Sequence, residues 1–435
     1  MSGVPRTVYL SKQQQNPLHQ KRRIFTMGLV HVDKLTEGLV LCEDVRDVSS
    51  RLLLSKGMQL KPEHQRIFKI WGVTEVMVEG DQDKDEGPDI DVDPEVVKRV
   101  TALMEQQYQH VNRDHPALKE LFWLSIEHRS RRDHLESTPR EVAAEAETSP
   151  KMEMADVRKT IDLTDIKLPE IPSIIYELNE VISAPLASAQ DIARIVNKSP
   201  SIAALLLRVV NSAFYGFPSR IDSITRALTL IGSKEITSLA LGISTMQIFK
   251  SIPKGIISMN AFIRHSLACG ILSRVMAAHK NIQQTEQLFI SGLLHDIGRL
   301  IIYKYFPDRA KVILNLNRTQ DRLMLEVEKE ILGWNHARIG KYLLEKWKLP
   351  LSLESNIYYH HHPLRAKDPV KATIVHMADI MANSLGLGSS GECCIAGFDE
   401  EAWEQYGLPP ASFKGVIEQA LHQFAPLESL FTETT

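Results

Sequence analysis

From Leu168 onward the chain strings together segments in which apolar residues recur every three to four positions, with few runs of strand character. "SIIYELNEVIS", "SAQDIARIVNK", "SPSIAALLLRVVNSAF", "SITRALTLIG" and "SKEITSLALGISTMQIF" follow one another with short breaks. A helix with one apolar stripe must bury it against another element, and successive stripes of this kind predict an all-α domain. Start signals agree. Ser188 precedes one segment and Ser199-Pro200 the next; serine can accept an orphan amide hydrogen, and proline at the first helical position gives up no bond.

The first half has a different texture. Between residues 28 and 80, β-rich runs alternate with turn residues around one helical segment, "KPEHQRIFKIWG", and a further strand, "VTEVMVEG", which predicts a small α/β module. The acidic stretch "DQDKDEGPDIDVDPE" cannot bury its charges and marks a linker over residues 80–94. "PEVVKRVTALMEQQYQHV" and "PALKELFWLSI" read as a connecting helical hairpin. Periodicity then fails from "EHRSRRDHLESTPR" to about residue 160, predicting disorder or a loose helix in which Arg129, Arg131 and Arg132 form a solvated charge run. A chain of 435 residues suits two or three domains. The expected order is a flexible tail (1–27), the α/β module (28–80), a linker region (81–160), the all-α domain (161–390) and a helical extension (391–435). The fold class is therefore mainly α, and Met27 is a second candidate start.

The formal charge of -3 gives no overall basic field for nucleic acid or an anionic membrane, and no DNA-binding segment is seen. The four cysteines, Cys42, Cys269, Cys393 and Cys394, are scattered, and adjacent cysteines seldom pair, so no disulfide framework is expected. A reducing cytoplasm is the predicted compartment. No stretch is long and apolar enough to span a bilayer, and the N-terminus lacks the apolar region of a signal peptide.

Metal-type residues recur within the helical half: His265 in "FIRHSLACG", His295 and Asp296 in "GLLHDIGRL", His336 in "GWNHARIG", His360 and His361 in "YYHHHP", and Asp379 in "VHMADIMAN". A lone histidine on an apolar face is more often a satisfied core residue than a ligand. Seven such residues in apolar settings admit two common explanations. They share first-row transition metals such as iron, manganese or zinc, with a carboxylate bridging one or two ions, or they hydrogen-bond one another as a buried polar network.

The order His265, His295-Asp296, Asp379 resembles the HD superfamily of metal-dependent phosphohydrolases, and "HDIGR" resembles its HDIG-type helix. His336, His360 and His361 are similar to the extra histidines of HD-GYP cyclic-di-GMP phosphodiesterases. Over about residues 160–390 the chain most resembles the HDOD domain, the HD-related output domain of bacterial signalling proteins, in "LPEIPSIIYELNEVI", "SPSIAALLLRVVNSAFYG", "SITRALTLIG", "GLLHDIGRL", "EKEILGWNHARIGKYLLEKWKLP" and "HHHP". The N-terminal module resembles small domains found ahead of such regions.

The departures bear on activity. "HHHPLRAKDPVKATIV" lacks the Gly-Tyr-Pro tripeptide of HD-GYP enzymes, and Ala261 stands where trinuclear members carry Glu, so the resemblance implies at most two metals. Arg299 lies one helical turn after His295, where HD-GYP proteins usually have a phosphate-holding Lys. It is a candidate phosphate donor, with a surface arginine at a helix end as the alternative. Asn211, Tyr215 and Gly216 end a long helix and could also wall a groove, while Trp334, Trp347, Tyr358 and Tyr359 read as packing. The resemblance implies a signalling output module that contacts a protein partner or a nucleotide-type ligand. The alternative is a metal-dependent phosphohydrolase, with weak or absent cyclic-di-GMP hydrolysis and no catalytic residue assigned.

Overall fold

The computed structural model describes most of residues 27–79 and 93–432; residues 1–26, 80–92 and 136–161 lie outside the description, as do short stretches elsewhere. The expected tail and acidic linker, and most of the expected disordered segment, fall on those residues. The described chain divides into two compact units between Ile90 and Asp91.

In the first unit, β1 (Met27–His31), β2 (Val40–Leu41) and β5 (Glu75–Glu79) form an antiparallel sheet in the order β1-β5-β2, with Met27 opposite Glu79. β3 (Val45–Arg46) and β4 (Leu52–Leu54) make a separate two-stranded ribbon. Leu41, Val45, Leu54, Leu60, Phe68, Val76 and Val78 give this unit its own small core. The helix expected over residues 61–72 lies largely outside the described residues.

The second unit is helical. α1 (Pro94–Gln107) and α2 (Pro116–Leu135) precede a group of five: α3 (Ser173–Ser183), α4 (Ala189–Asn197), α5 (Pro200–Val210), α6 (Ile224–Ile231) and α7 (Ser233–Gln247). α8 (Met259–His279), α9 (Thr285–Leu294), α10 (Ile297–Tyr305), α11 (Pro307–Gln320), α12 (Met324–Leu332), α13 (His336–Lys346), α14 (Leu351–Tyr359) and α15 (Pro369–Leu385) follow. α16 (Glu400–Tyr406) and α17 (Phe413–Thr432) complete the unit. Ser188 caps α4 in a reciprocal box with Asp191. Ser199 precedes α5 as expected, yet its hydroxyl makes no cap bond and faces Ser201 Oγ at 3.3 Å. Asn211 ends α5 and staples the following turn through Ile221, and an open groove lined by Leu207, Asn211, Arg220 and Pro426 lies beside it.

The hairpin read as a connector packs into this unit. Tyr108, just after α1, bonds Ser384 of α15 at 2.6 Å, and Ile395 N–H donates to Gln107 O at 2.8 Å. The loss of periodicity after Ile126 does not end α2, which continues to Leu135. The reading of its arginines as a solvated run is corrected for two of the three. Arg129 is buried and donates to Asn383 O, and Arg132 donates to Gly386 O. Those carbonyls close α15, where orphan acceptors and the helix dipole favour cations. Arg131 alone behaves as expected, pairing with Glu127 at 2.9 Å on the surface. Among the described residues, no helix is long and apolar enough to cross a membrane.

α8 runs through the middle of the unit, packed by α9, α15 and α17. Two glycines set how closely the site-bearing helices approach. A Cβ on Gly292 of α9 would stand 2.5 Å from the Cys269 carbonyl of α8, and one on Gly298 of α10 would collide with the His336 carbonyl of α13. Only residues without a Cβ permit both approaches.

Candidate metal centre

Five segments deliver the seven metal-type residues to one place. α8 carries His265, the break between α9 and α10 carries His295 and Asp296, α13 begins with His336, the chain leaving α14 holds His360 and His361, and α15 carries Asp379. The α9/α10 break places Asp296 outside helical geometry, at φ -97 and ψ 14, so its carboxylate turns into the centre rather than following the helix face. His265, His295, His336 and His360 are fully buried, Asp296 is 2% exposed and Asp379 6%.

The carboxylate of Asp296 faces two histidine sets. Its Oδ2 lies 3.3 Å from His295 Nε2 and 3.8 Å from His265 Nε2, and its Oδ1 lies 3.2 Å from His336 Nε2. On the first side Asp379 Oδ1 stands 3.2 Å from His265 Nε2 and 3.5 Å from His295 Nε2. On the second, His336 Nε2 is 2.9 Å from His361 Nε2 and 3.4 Å from His360 Nε2. His265, Cys269, His295 and Asp379 group closely enough to share an ion, as do His336, His360 and His361, with Asp296 in a third group beside His295 and His360.

Three histidines are oriented by their far nitrogens. His295 Nδ1 donates to Gly292 O at 2.7 Å, and His360 Nδ1 to Ile357 O at 2.6 Å; a carbonyl can only accept, so both rings carry their proton on Nδ1. His336 Nδ1 donates to Glu328 Oε2 at 2.6 Å. Each therefore turns Nε2 toward the centre, the arrangement in which outer acceptors fix the tautomer of a metal-ligating imidazole. At the centre itself, His295 Nε2 and Asp296 Oδ1 are buried and make no hydrogen bond. Orphaned buried polar atoms cost roughly 1–3 kcal/mol each, and a cation between them satisfies both. The donor set fits a divalent first-row metal.

Electrostatics reinforce the fit. Burial pushes both carboxyls up, but Arg299, His295 and His336 around Asp296, and His265 and His295 around Asp379, hold each well below the usual carboxylate range. Burial works to lower the His295 imidazole, yet the two carboxylates overcome it and raise it to about 10. The carboxylates thus keep positive charge on His295, and a divalent ion held here would take the place of that proton. Burial and neighbouring imidazoles keep His360 and His361 neutral.

Arg299 is not a surface residue. It is 2% exposed, and the loop after α15 folds over it: Nη1 donates to Ser390 Oγ at 2.7 Å, and Nη2 to Glu392 at 2.9 Å. Asp296 lies 3.4 Å away and Glu328 3.5 Å. These partners occupy the guanidinium that the sequence offered as a phosphate donor. Trp334 and Trp347 pack in the core as expected, and the Tyr358 and Tyr359 rings pack edge to face.

Four participants escaped the sequence reading. Cys269 Sγ lies 3.6 Å from His265 Nε2; its spacing, one turn after His265 on the same helix, was a usable signal. Glu328 occupies the apolar face of α12 with Met324, Val327 and Ile331, where a carboxylate is conspicuous. Ser390 and Glu392 sit in an irregular loop without periodicity and had no local signal.

The HDOD domain family matches residues 168–363. A solved HDOD domain protein of unknown function from Geobacter sulfurreducens is 18% identical, covering 60% of this chain and 93% of its own, with a TM-score of 0.51. A structure provisionally named a phosphohydrolase from Shewanella amazonensis SB2B is 21% identical, covering 61% of this chain and 95% of its own, with a TM-score of 0.49. An uncharacterized protein of Treponema pallidum (strain Nichols) is 22% identical over 212 residues, 48% of this chain. The match spans 41% of that relative's length. The helical fold and the matched segment agree: residues 168–363 match the HDOD domain.

Proposed function

We propose that this chain is a bacterial signal-transduction regulator whose HDOD domain acts as an output module, built around one or two buried divalent ions of iron, manganese or zinc. His265, His295 and Asp379 would hold one position, and His336, His360 and His361 a second, with Asp296 between them. The observation that carries this reading is enclosure. Nearly every donor is buried, and the Arg299 guanidinium beside them is committed to Ser390 and Glu392. Phosphoryl chemistry needs positioned donors for the phosphate as well as metals. Burial of this kind suits an ion that ties helices together and sets the surface they present to a protein partner or a nucleotide-type ligand. The two-sided carboxylate favours a second reading, a metal-dependent phosphohydrolase, because bridged ions supply Lewis acidity and an activated water.

Elemental analysis of the purified chain, as isolated and after reconstitution, is expected to find one or two ions per chain, lost in Asp296→Ala. Cyclic di-GMP is expected to turn over no faster with the loaded chain than with that variant. Rapid, metal-dependent turnover abolished by Asp296→Ala would establish the phosphohydrolase instead. Absence of iron, manganese and zinc after reconstitution would leave the seven residues as a polar network.

A further inference from the structure

The loop that covers Arg299 continues into adjacent cysteines, Cys393 and Cys394, whose sulfurs lie 3.6 Å apart. Cys393 is partly exposed, and its thiol donates to Asn317 O at 3.1 Å. Cys394 Sγ accepts from Gln109 Nε2 at 3.7 Å. Both thiols are free. We infer that Cys393 and Cys394 form an oxidisable vicinal dithiol, a modification site that a hydroperoxide converts to a disulfide and that thiols restore.

Three features support this. The sulfurs already face each other, so pairing needs side-chain rotation more than movement of the fold. The Cys393 thiol outweighs burial and, with Gln109, lowers Cys394 below the ordinary thiol value, while Cys393 itself is raised; a thiolate is the form that attacks peroxide. Finally, neighbouring α-carbons stand about 3.8 Å apart across a trans peptide, below the usual disulfide range of about 4.4–6.8 Å. Such a bridge is strained, and strained bridges are the readily reduced, regulatory kind.

The chemistry balances with hydrogen peroxide. The thiolate attacks one peroxide oxygen, the O–O bond breaks, and the departing hydroxide takes a proton to become water, leaving a sulfenic acid. The second thiol attacks that sulfur, the S–O bond breaks, and its own proton leaves with the hydroxide as a second water. Two electrons pass from the two sulfurs to the peroxide. The product has no S–H to donate to Asn317 O. Asn317 also donates to Glu392 Oε1 at 3.2 Å and accepts from Cys393 N–H at 3.2 Å, so oxidation acts on the residue that anchors the Arg299 cover.

The full chain, treated with equimolar hydrogen peroxide, quenched in acid, alkylated and digested, tests this by mass spectrometry. The peptide holding both cysteines is expected to be lighter by two hydrogens and to resist alkylation until dithiothreitol is added. The same treatment in urea should form that product at least about tenfold more slowly, because the unfolded chain does not lower a thiol. Cys393→Ser and Cys394→Ser should each form no such product. Full alkylation of both cysteines after peroxide, over-oxidation of one beside a free partner, or equal rates in urea would each overturn the inference.

Discussion

Two buried polar clusters lie side by side in the helical unit and are finished differently. Around Arg299, nearly every polar atom has a protein partner: Ser390, Glu392, Asn317 and the Met324 amide close the group, and Tyr303 Oη donates to Ser390 O at 2.6 Å. Glu328 Oε1 lacks a hydrogen bond but stands 3.5 Å from the guanidinium. Around Asp296, His336 pairs with His361 through their Nε2 atoms, but His295 Nε2 and Asp296 Oδ1 remain orphaned. A buried polar cluster that closes on itself fixes a fold, whereas one that leaves its acceptors open is shaped for something added. His336 belongs to both, giving Nδ1 to Glu328 and turning Nε2 toward Asp296, so the closed cluster orients the open one.

The largest effect is expected at Arg299. Arg299→Met would leave Glu328 and Glu392 buried without their cation, and loss of one partner of a buried pair costs about 3–5 kcal/mol. Urea denaturation of the metal-free chain should show that loss, with part recovered in Arg299→Met/Glu392→Gln. A loss under about 1 kcal/mol would mean that the cluster is not the closed scaffold described.

The difference between the clusters also explains what could be read in the sequence. The open centre was legible because His265, His295, Asp296 and Asp379 interrupt helices whose other positions are apolar; periodicity exposes such residues. The closed cluster draws on residues from a loop about ninety positions away from Arg299, and helix geometry alone left that arginine either a phosphate donor beside His295 or a surface residue at a helix end. Arg129 and Arg132 misled for a similar reason. Their positions on α2 carry no apolar stripe, and their burial comes from the terminus of α15, a partner that only tertiary packing supplies.

His128, next to those arginines, sharpens the contrast from outside both clusters. Its Nε2 is buried without a hydrogen bond, like that of His295, but the charges that act on it are those of Arg132 and Arg129. Burial, then Arg132 and Arg129, lower it from 6.5 to about 4, the opposite of His295. The folded chain keeps His128 neutral while the unfolded chain protonates it below about pH 6.5. Its contribution is therefore complete above pH 6.5 and is lost as pH falls toward 4, on the order of 2–3 kcal/mol in all. Unfolding midpoints of metal-free wild type and His128→Gln should converge as pH falls from 7.5 to 4.5, because the variant lacks this slope. Parallel curves would show that His128 titrates normally.

The smallest expected effect tests whether the open centre is supported from behind. Asn383, one turn after Asp379 on α15, donates from Nδ2 to Asp379 Oδ1 at 2.8 Å, and its own carbonyl accepts from Arg129. The bond aims a carboxylate whose same oxygen faces His265 and His295. Removing an outer partner of a metal ligand typically weakens binding about ten- to a hundredfold, so Asn383→Ala should lose at least tenfold in metal affinity, about 1.4 kcal/mol. Chelator competition reads that loss directly. Because Asn383 touches Asp379 and not the closed cluster, the metal-free variant should unfold within about 0.5 kcal/mol of wild type. Unchanged affinity would make the Asn383 bond incidental; equal losses with and without metal would make it a packing contact of α15. Weaker binding with unchanged metal-free stability is the pattern that places Asn383 behind the open centre.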